Sequence, residues 1–230
     1  MTAGDPRQPL DGVDLGGPPP PLPAELDAAL GALAPVAPRR PARQLAVVTA
    51  ASLAWALCMV GLLTLRRDLG ELPRLWLVSY LAAWLLGFAA PTALLVVPAR
   101  GGMMPRWLPA AVIAAIATVG FIVAGLAMAR SGPSSLHRGL SSWAGCLSTG
   151  VATAVVPIAL IGLALRGAVP SATRVTAAAA GAAAGAIGGF MLHLHCPIAD
   201  HLHVGIVHGG VAVITALVAA ALLPRWLRGP

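Results

Sequence analysis

The chain has 230 residues, of which 58% are hydrophobic and only 10% are charged, and its mean hydropathy is +0.84. A soluble domain carries about a quarter charged residues, so this composition excludes a soluble enzyme. All fifteen basic residues are arginine, and eight acidic residues leave a net charge of +7. Most of the arginines flank apolar segments, where they anchor helices at a membrane surface. We therefore expect a polytopic membrane protein and no direct contact with nucleic acid.

Residues 1–43 differ from the rest of the chain because they are rich in proline, including the run Pro18–Pro21. Such a segment buries too little apolar surface to offset its ordering entropy, so a mostly disordered tail should precede a membrane domain over 44–230. Residues 24–34 lack proline and form a short amphipathic leader. The leucines of this leader, and one just before it, recur at helical spacing: Leu22, Leu26, Leu30 and Leu33. A helix this short is marginal in isolation, so it would fold on a partner or on the membrane; an inert solvated tail is the alternative.

Six apolar segments follow, each near the ~20 residues that cross a bilayer. The loops between them are short, which predicts an all-α bundle of six transmembrane helices. Pro91 and Pro157 fall inside the second and fourth segments, where a neighbour or water must satisfy the backbone carbonyls that proline frees. Glycines at close spacing in the fifth segment indicate tight helix packing. The six segments are Leu45–Leu65, Leu75–Val97, Trp107–Ala129, Ser142–Leu165, Val175–Leu194 and Val204–Leu223.

The tryptophans and arginines indicate how the bundle sits in the membrane. Most tryptophans fall near span ends, which is typical of interfacial anchors: Trp55, Trp76, Trp84, Trp107, Trp143 and Trp226. With both termini in the cytoplasm, the arginines that remain outside are Arg66, Arg67, Arg74, Arg130 and Arg138. The other ten arginines lie inside, and the positive-inside rule favours this orientation.

The chemically active side chains are concentrated in the string HLHCPIADHLH, residues 193–203. In the orientation above, this string is the last external loop, with His208 about one turn into the final helix. Cys146 lies near the outer end of the fourth segment, so it faces the same compartment as Cys196. No Asp or Glu lies within any span, so neither carboxylate catalysis nor proton-coupled transport is indicated, and we expect no enzyme.

Three interpretations of this string remain open on the residues alone. Imidazole and thiolate together suit zinc or copper, although the spacing matches no closed structural zinc motif. Cys146 and Cys196 could instead form a redox-reactive thiol pair, and the third interpretation treats the side chains as interfacial residues without a role. A membrane metal-binding or transport protein is therefore the alternative function. The candidate metal ligands are His193, His195, Cys196, His201 and His203.

Three stretches resemble a known family. The first is the tail string LDAALGALAPVAPRRP at 26–41, with an amphipathic turn followed by a basic, proline-rich lead into the first span. The second is WAGCLSTGVATAVVPIALIGLALRGAVP at 143–170, a span with an outer cysteine and a basic inner end. The third is GAIGGFMLHLHCPIADHLHVGIVHGG at 185–210, which contains the His–Cys string. Together they resemble the NrsF-type family of bacterial inner-membrane anti-sigma factors.

The resemblance implies that the chain holds an extracytoplasmic-function sigma factor through its cytoplasmic tail and releases it on an external redox or metal signal. It makes Cys146 and Cys196 the signal-sensing pair, with His195 beside Cys196. The added His201 and His203 depart from the family pattern and favour metal binding. The light-responsive CarR type of membrane anti-sigma factor is also similar, and it implies singlet oxygen as the signal. The resemblance assigns sigma-factor binding to the leucines of the leader, Leu22, Leu26, Leu30 and Leu33.

Overall fold

The computed structural model describes residues 26, 28, 40–97, 106–127, 139–166, 173–198 and 200–227, and within these ranges it is helical with no strand. Six helices are long and apolar enough to cross a membrane, so the predicted all-α bundle of six spans is confirmed. A π-helical turn, His203–His208, runs directly into the last helix. The helices are α1 (Pro41–Leu63), α2 (Arg74–Val96), α3 (Trp107–Ala127), α4 (Gly139–Leu165), α5 (Thr173–His195) and α6 (Gly209–Leu227).

The N-terminal residues form a unit of their own, Met1–Arg39, separate from Arg40–Pro230. Of the leader, only Leu26 and Ala28 are described, and both are helical and exposed. Leu22, Leu30 and Leu33 lie outside the described residues, as does the proline-rich part of the tail.

Helix α1 begins four residues earlier than the sequence suggests, at Pro41 rather than Leu45. Proline is favoured at the first helical position, because its φ is already helical and its missing N–H is not needed there. The helix ends at Leu63, because Thr64 adopts φ 73° and ψ 143°, which no α-helix can continue.

Helix α5 is the centre of the bundle and contacts all five other helices. Its alanines and glycines let those helices approach closely, as the sequence predicts. A Cβ added to Gly185 would lie 2.5 Å from the Cα of Ala212 in α6, and one added to Gly188 would meet the carbonyl oxygen of Gly150 in α4. Small residues at these positions therefore set the spacing of α4 and α6 against α5.

Trp84 is not an interfacial anchor, and that prediction is wrong for this residue. Its side chain is fully buried in the middle of α2, stacked on Phe121 of α3 with ring centroids 3.6 Å apart. It lies against Gly189, where an added Cβ would collide with the indole ring. The missing side chain of Gly189 thus provides the space that draws this tryptophan into the core.

Trp55 in α1 satisfies a carbonyl that proline leaves without a partner. Pro157 lies inside α4 and has no N–H to donate to the carbonyl of Thr153, four residues earlier. The indole Nε1 of Trp55 donates to that carbonyl oxygen at 2.9 Å. A neighbouring helix therefore replaces the lost intrahelical hydrogen bond, as the position of Pro157 in the sequence leads one to expect.

Candidate functional site

Cys146 and Cys196 meet at one end of the bundle. Cys146 lies in the second turn of α4, and Cys196 directly follows α5. Their Sγ atoms are 3.6 Å apart, and neither is in a disulfide. Cys196 is buried and Cys146 is partly exposed. The close contact between α4 and α5 at Gly188 fixes the register that brings the two thiols together.

His203 completes a group of three donors around these thiols. Its Nε2 lies 3.4 Å from Cys196 Sγ, and the ligand atoms of Cys146, Cys196 and His203 all lie within 4.8 Å of one another. Asp200 holds His203 in place, because one of its carboxylate oxygens accepts a hydrogen bond from the His203 backbone N–H at 3.1 Å. Asp200 thereby caps the start of the last span.

Two of the five predicted metal ligands, Cys196 and His203, are brought together, and Cys146 joins them. His193 faces the interior, with its ring stacked on Tyr80 at 4.8 Å between centroids. His195 turns the other way, and its Nδ1 donates to the carbonyl oxygen of Thr64 at 2.8 Å. His201 is exposed. The predicted set is divided because α5 continues to His195, and residues two apart on a helix point in nearly opposite directions.

A second cluster of imidazoles lies beneath the thiols, and the sequence did not point to it. His193, His203 and His208 are buried, with ring centroids 6.3 Å apart for His193–His208 and 5.2 Å for His203–His208. At 3.6 residues per turn, positions 203 and 208 would point roughly 140° apart; the wider π-helical winding brings both to the interior. Both nitrogens of His193 and of His208, and Nδ1 of His203, have no hydrogen-bond partner among the described residues.

The electrostatic surroundings keep Cys196 protonated. Its hydrogen bond with Cys146 and its burial raise its pKa above the ordinary thiol value, because both favour the neutral S–H over a buried thiolate. The guanidinium of Arg66 acts in the opposite direction. That side chain is buried and forms two hydrogen bonds of 2.7 Å with the carboxylate of Asp68. Cys196 is therefore a neutral thiol at neutral pH, and Cys146 is the more accessible of the two sulfurs.

Cys58, the third cysteine, takes no part in this site. It lies within α1 and is exposed, whereas Cys146 and Cys196 lie near the start of α4 and just after the end of α5. We call this end of the bundle the thiol end. The arrangement of Cys146, Cys196 and His203 can form a disulfide or hold a thiophilic metal ion, and disulfide formation would draw the start of α4 toward the end of α5.

A family model described as negative regulator of sigma F, or NrsF, matches residues 31–228. The chain belongs to this family, which confirms the resemblance found in the sequence. No curated protein and no solved structure matches it. The chain is thus a multi-pass membrane protein of a family whose members negatively regulate a sigma factor.

Proposed function

We propose that this chain holds an extracytoplasmic-function sigma factor at the bacterial inner membrane and releases it when the Cys146–Cys196 pair is modified from outside. The observation that carries the proposal is the 3.6 Å separation of the two Sγ atoms in a member of a sigma-regulating family. The proposal assigns the chain no catalytic reaction and no direct contact with nucleic acid.

The distribution of charge supports an orientation with both termini in the cytoplasm. Six spans return the chain to its starting side, and the ends of the helices on that side carry arginine without acid among the described residues. They are Arg40, Arg43, Arg106, Arg166, Arg174 and Arg225. The opposite end, where the thiols lie, carries three described arginines, Arg66, Arg67 and Arg74. Six arginines against three favour an external thiol end by the positive-inside rule.

The leader would supply the contact with the sigma factor. Leucines at helical spacing form one apolar stripe, and an amphipathic helix of this kind binds by laying its stripe into a groove of the partner. Leu26, the described member, is helical and nearly half exposed, and Leu22, Leu30 and Leu33 would extend the same stripe.

Oxidation of the thiols is the signal that the geometry supports best. With hydrogen peroxide, the accessible Cys146 thiol would become a sulfenic acid and one water would leave; the Cys196 thiol would then displace the remaining peroxide oxygen as a second water to give the disulfide. A disulfide bond measures about 2.05 Å, so the two Sγ atoms would close by roughly 1.5 Å. Singlet oxygen would act on the same thiol and imidazole groups.

Metal binding is a second candidate signal because of His203. A tetrahedral zinc ion with Zn–S and Zn–N bonds of about 2.3 and 2.0 Å separates two sulfurs by about 3.8 Å and sulfur from nitrogen by about 3.5 Å. The observed separations are 3.6 Å between the thiols and 3.4 Å from Cys196 to His203. Zinc or copper(I) would therefore fit with little rearrangement, displacing the thiol protons.

The test uses the full-length chain in membranes from its native cells, with each cysteine replaced in turn by serine. Membranes should retain a sigma factor, and diamide, which takes up the two thiol hydrogens, should release it from the wild type and from the control Cys58→Ser. Cys146→Ser and Cys196→Ser should retain it after treatment. Retention of no sigma factor, with zinc or copper found in the purified chain, would instead support the alternative of a metal-binding or transport protein.

The same membranes test the leader and the choice of signal. Replacing Leu26 and Leu30 by Asp should abolish retention, while full retention would remove the leader from the proposal. Release by zinc or copper(I) that is lost in His203→Ala, with release by diamide unchanged, would identify a metal signal. A coupling of ~1–3 kcal/mol between the thiols and the leader would change the affinity about 5- to 150-fold.

A further inference from the structure

The loop after α1 is tied to the end of α5 beside the thiol pair. The backbone N–H of Arg66 donates to the carbonyl oxygen of Leu194 at 3.0 Å. The carbonyl oxygen of Thr64 accepts the hydrogen bond from His195 Nδ1 at 2.8 Å. We call Thr64–Arg66 with these two hydrogen bonds the clasp. It engages the two residues that directly precede Cys196.

The clasp is closed at the expense of backbone strain. Thr64 has φ 73° with ψ 143°, a region that glycine enters freely and that a β-branched residue avoids. It is the one non-glycine residue with positive φ in the described part of the chain. Its side chain is exposed, so packing does not impose this conformation. Strain of this kind persists only where the surrounding contacts hold it, and here the contacts are the two hydrogen bonds of the clasp.

The Arg66 end of the clasp is anchored by burial. The Arg66 side chain is buried, so a loop that followed the end of α5 would have to pull this charged group out of its packed position. Its two hydrogen bonds to the Asp68 carboxylate lie within the loop and keep the turn in one conformation. At Thr64, the clasp directly follows α1, a 23-residue helix about 35 Å long. The tail begins at the opposite end of that helix.

We infer that the clasp is the switch between the thiol pair and the tail: closed while the thiols are reduced, and opened when disulfide formation displaces Leu194–Cys196. This inference rests on the proposed function, because its output is release of the sigma factor. When Cys196 is drawn toward Cys146, the hydrogen bonds to Leu194 and His195 break, and Thr64 relaxes to an ordinary conformation. The end of α1 is then free to move, and the helix carries that movement to the tail.

A switch of this kind predicts opposite effects for two substitutions. His195→Ala removes one hydrogen bond from the closed clasp, so half-release should need about fivefold less diamide, the equilibrium shift of one net hydrogen bond. Thr64→Gly removes the strain from the closed clasp, so half-release should need more diamide, by about fivefold. His195→Asn keeps an N–H donor near the position of Nδ1 and should behave like the wild type. A purely structural role would not make Thr64→Gly less responsive.

The experiment uses the full-length chain in membranes with its retained sigma factor, titrated with diamide while the oxidation of Cys146 and Cys196 is measured by alkylation. Opposite shifts at equal thiol oxidation support the switch; shifts in the same direction, or none, overturn it. Hydrogen exchange at the Arg66 amide gives a second measurement that needs no sigma factor. Exchange should be slow in the reduced chain and faster after oxidation, and equal exchange in both states would overturn the switch even if sigma release is observed.

Discussion

The hydrogen bond from Trp55 to the carbonyl of Thr153 offers a sharp test of how this bundle tolerates proline. Trp55→Phe keeps an aromatic ring but removes the Nε1–H, and the carbonyl that Pro157 has already deprived of its helical partner is then left unpaired. A buried acceptor without a hydrogen bond costs about 1–3 kcal/mol. We therefore expect Trp55→Phe to lower the free energy of unfolding by that amount.

The second substitution, Pro157→Ala, identifies the cause. Alanine at 157 restores the N–H that points at the Thr153 carbonyl, so removal of the indole donor no longer leaves that oxygen unpaired. In this background, Trp55→Phe should cost less than about 0.5 kcal/mol, since only a small change in packing remains. The coupling between the two positions should thus be about 1–2 kcal/mol, in the range measured for residues that share a hydrogen-bond network.

The assay is reversible unfolding of the four proteins of this cycle in mixed detergent micelles with increasing sodium dodecyl sulfate. Tryptophan fluorescence is unsuitable because Trp55 is itself replaced, so helical circular dichroism follows the transition. An equal cost of Trp55→Phe with proline and with alanine at 157 would refute the reasoning, because it would show that the indole does not replace the missing helical donor.

Three further predictions concern the core and the thiols. Trp84→Ala should lower the free energy of unfolding by about 3–5 kcal/mol, whereas Leu86→Ala on the exposed face of the same helix should cost far less; similar losses in the same detergent assay would contradict the core position of Trp84. Gly188→Ala should be about 1–3 kcal/mol less stable than Gly120→Ala, because a Cβ at 188 meets the Gly150 carbonyl while one at 120 meets open space, and the gain in helix propensity is common to both. It should also slow formation of the Cys146–Cys196 disulfide by diamide, and equal rates would show that this glycine does not set the thiol spacing. The raised pKa of Cys196 keeps its thiol protonated through neutral pH, so its rate of alkylation by iodoacetamide should still be rising at pH values where that of glutathione has levelled off; a profile that levels off earlier would contradict the raised pKa.

The sequence predicted the spans, and it placed the two cysteines at the same end of the bundle, because both depend only on position along the membrane normal. Hydropathy along the chain marks where a helix crosses the bilayer, and the number of crossings decides which cysteines share a side. These two facts are enough to place Cys146 and Cys196 at the same end of the bundle. The effect of Pro157 was also predictable in part. The carbonyl that it frees lies four residues earlier in the sequence, but the sequence does not show that Trp55 of another helix is the donor that binds it.

The histidines were harder to place because their positions depend on rotation about a helix axis and not on depth in the membrane. The string from His193 to His203 looks like one loop, yet α5 runs through His195 and a π-helical turn starts at His203. His193 and His195 therefore leave the helix on opposite sides, one toward Tyr80 and the other toward Thr64. The two ends of this segment therefore make different contacts. His203 lies beside the thiol pair, and His195, next to Cys196, is hydrogen-bonded to the residue that follows α1. Cys196 contacts His203 through its sulfur and directly follows His195 in the chain, so a displacement of Cys196 would move it against both histidines.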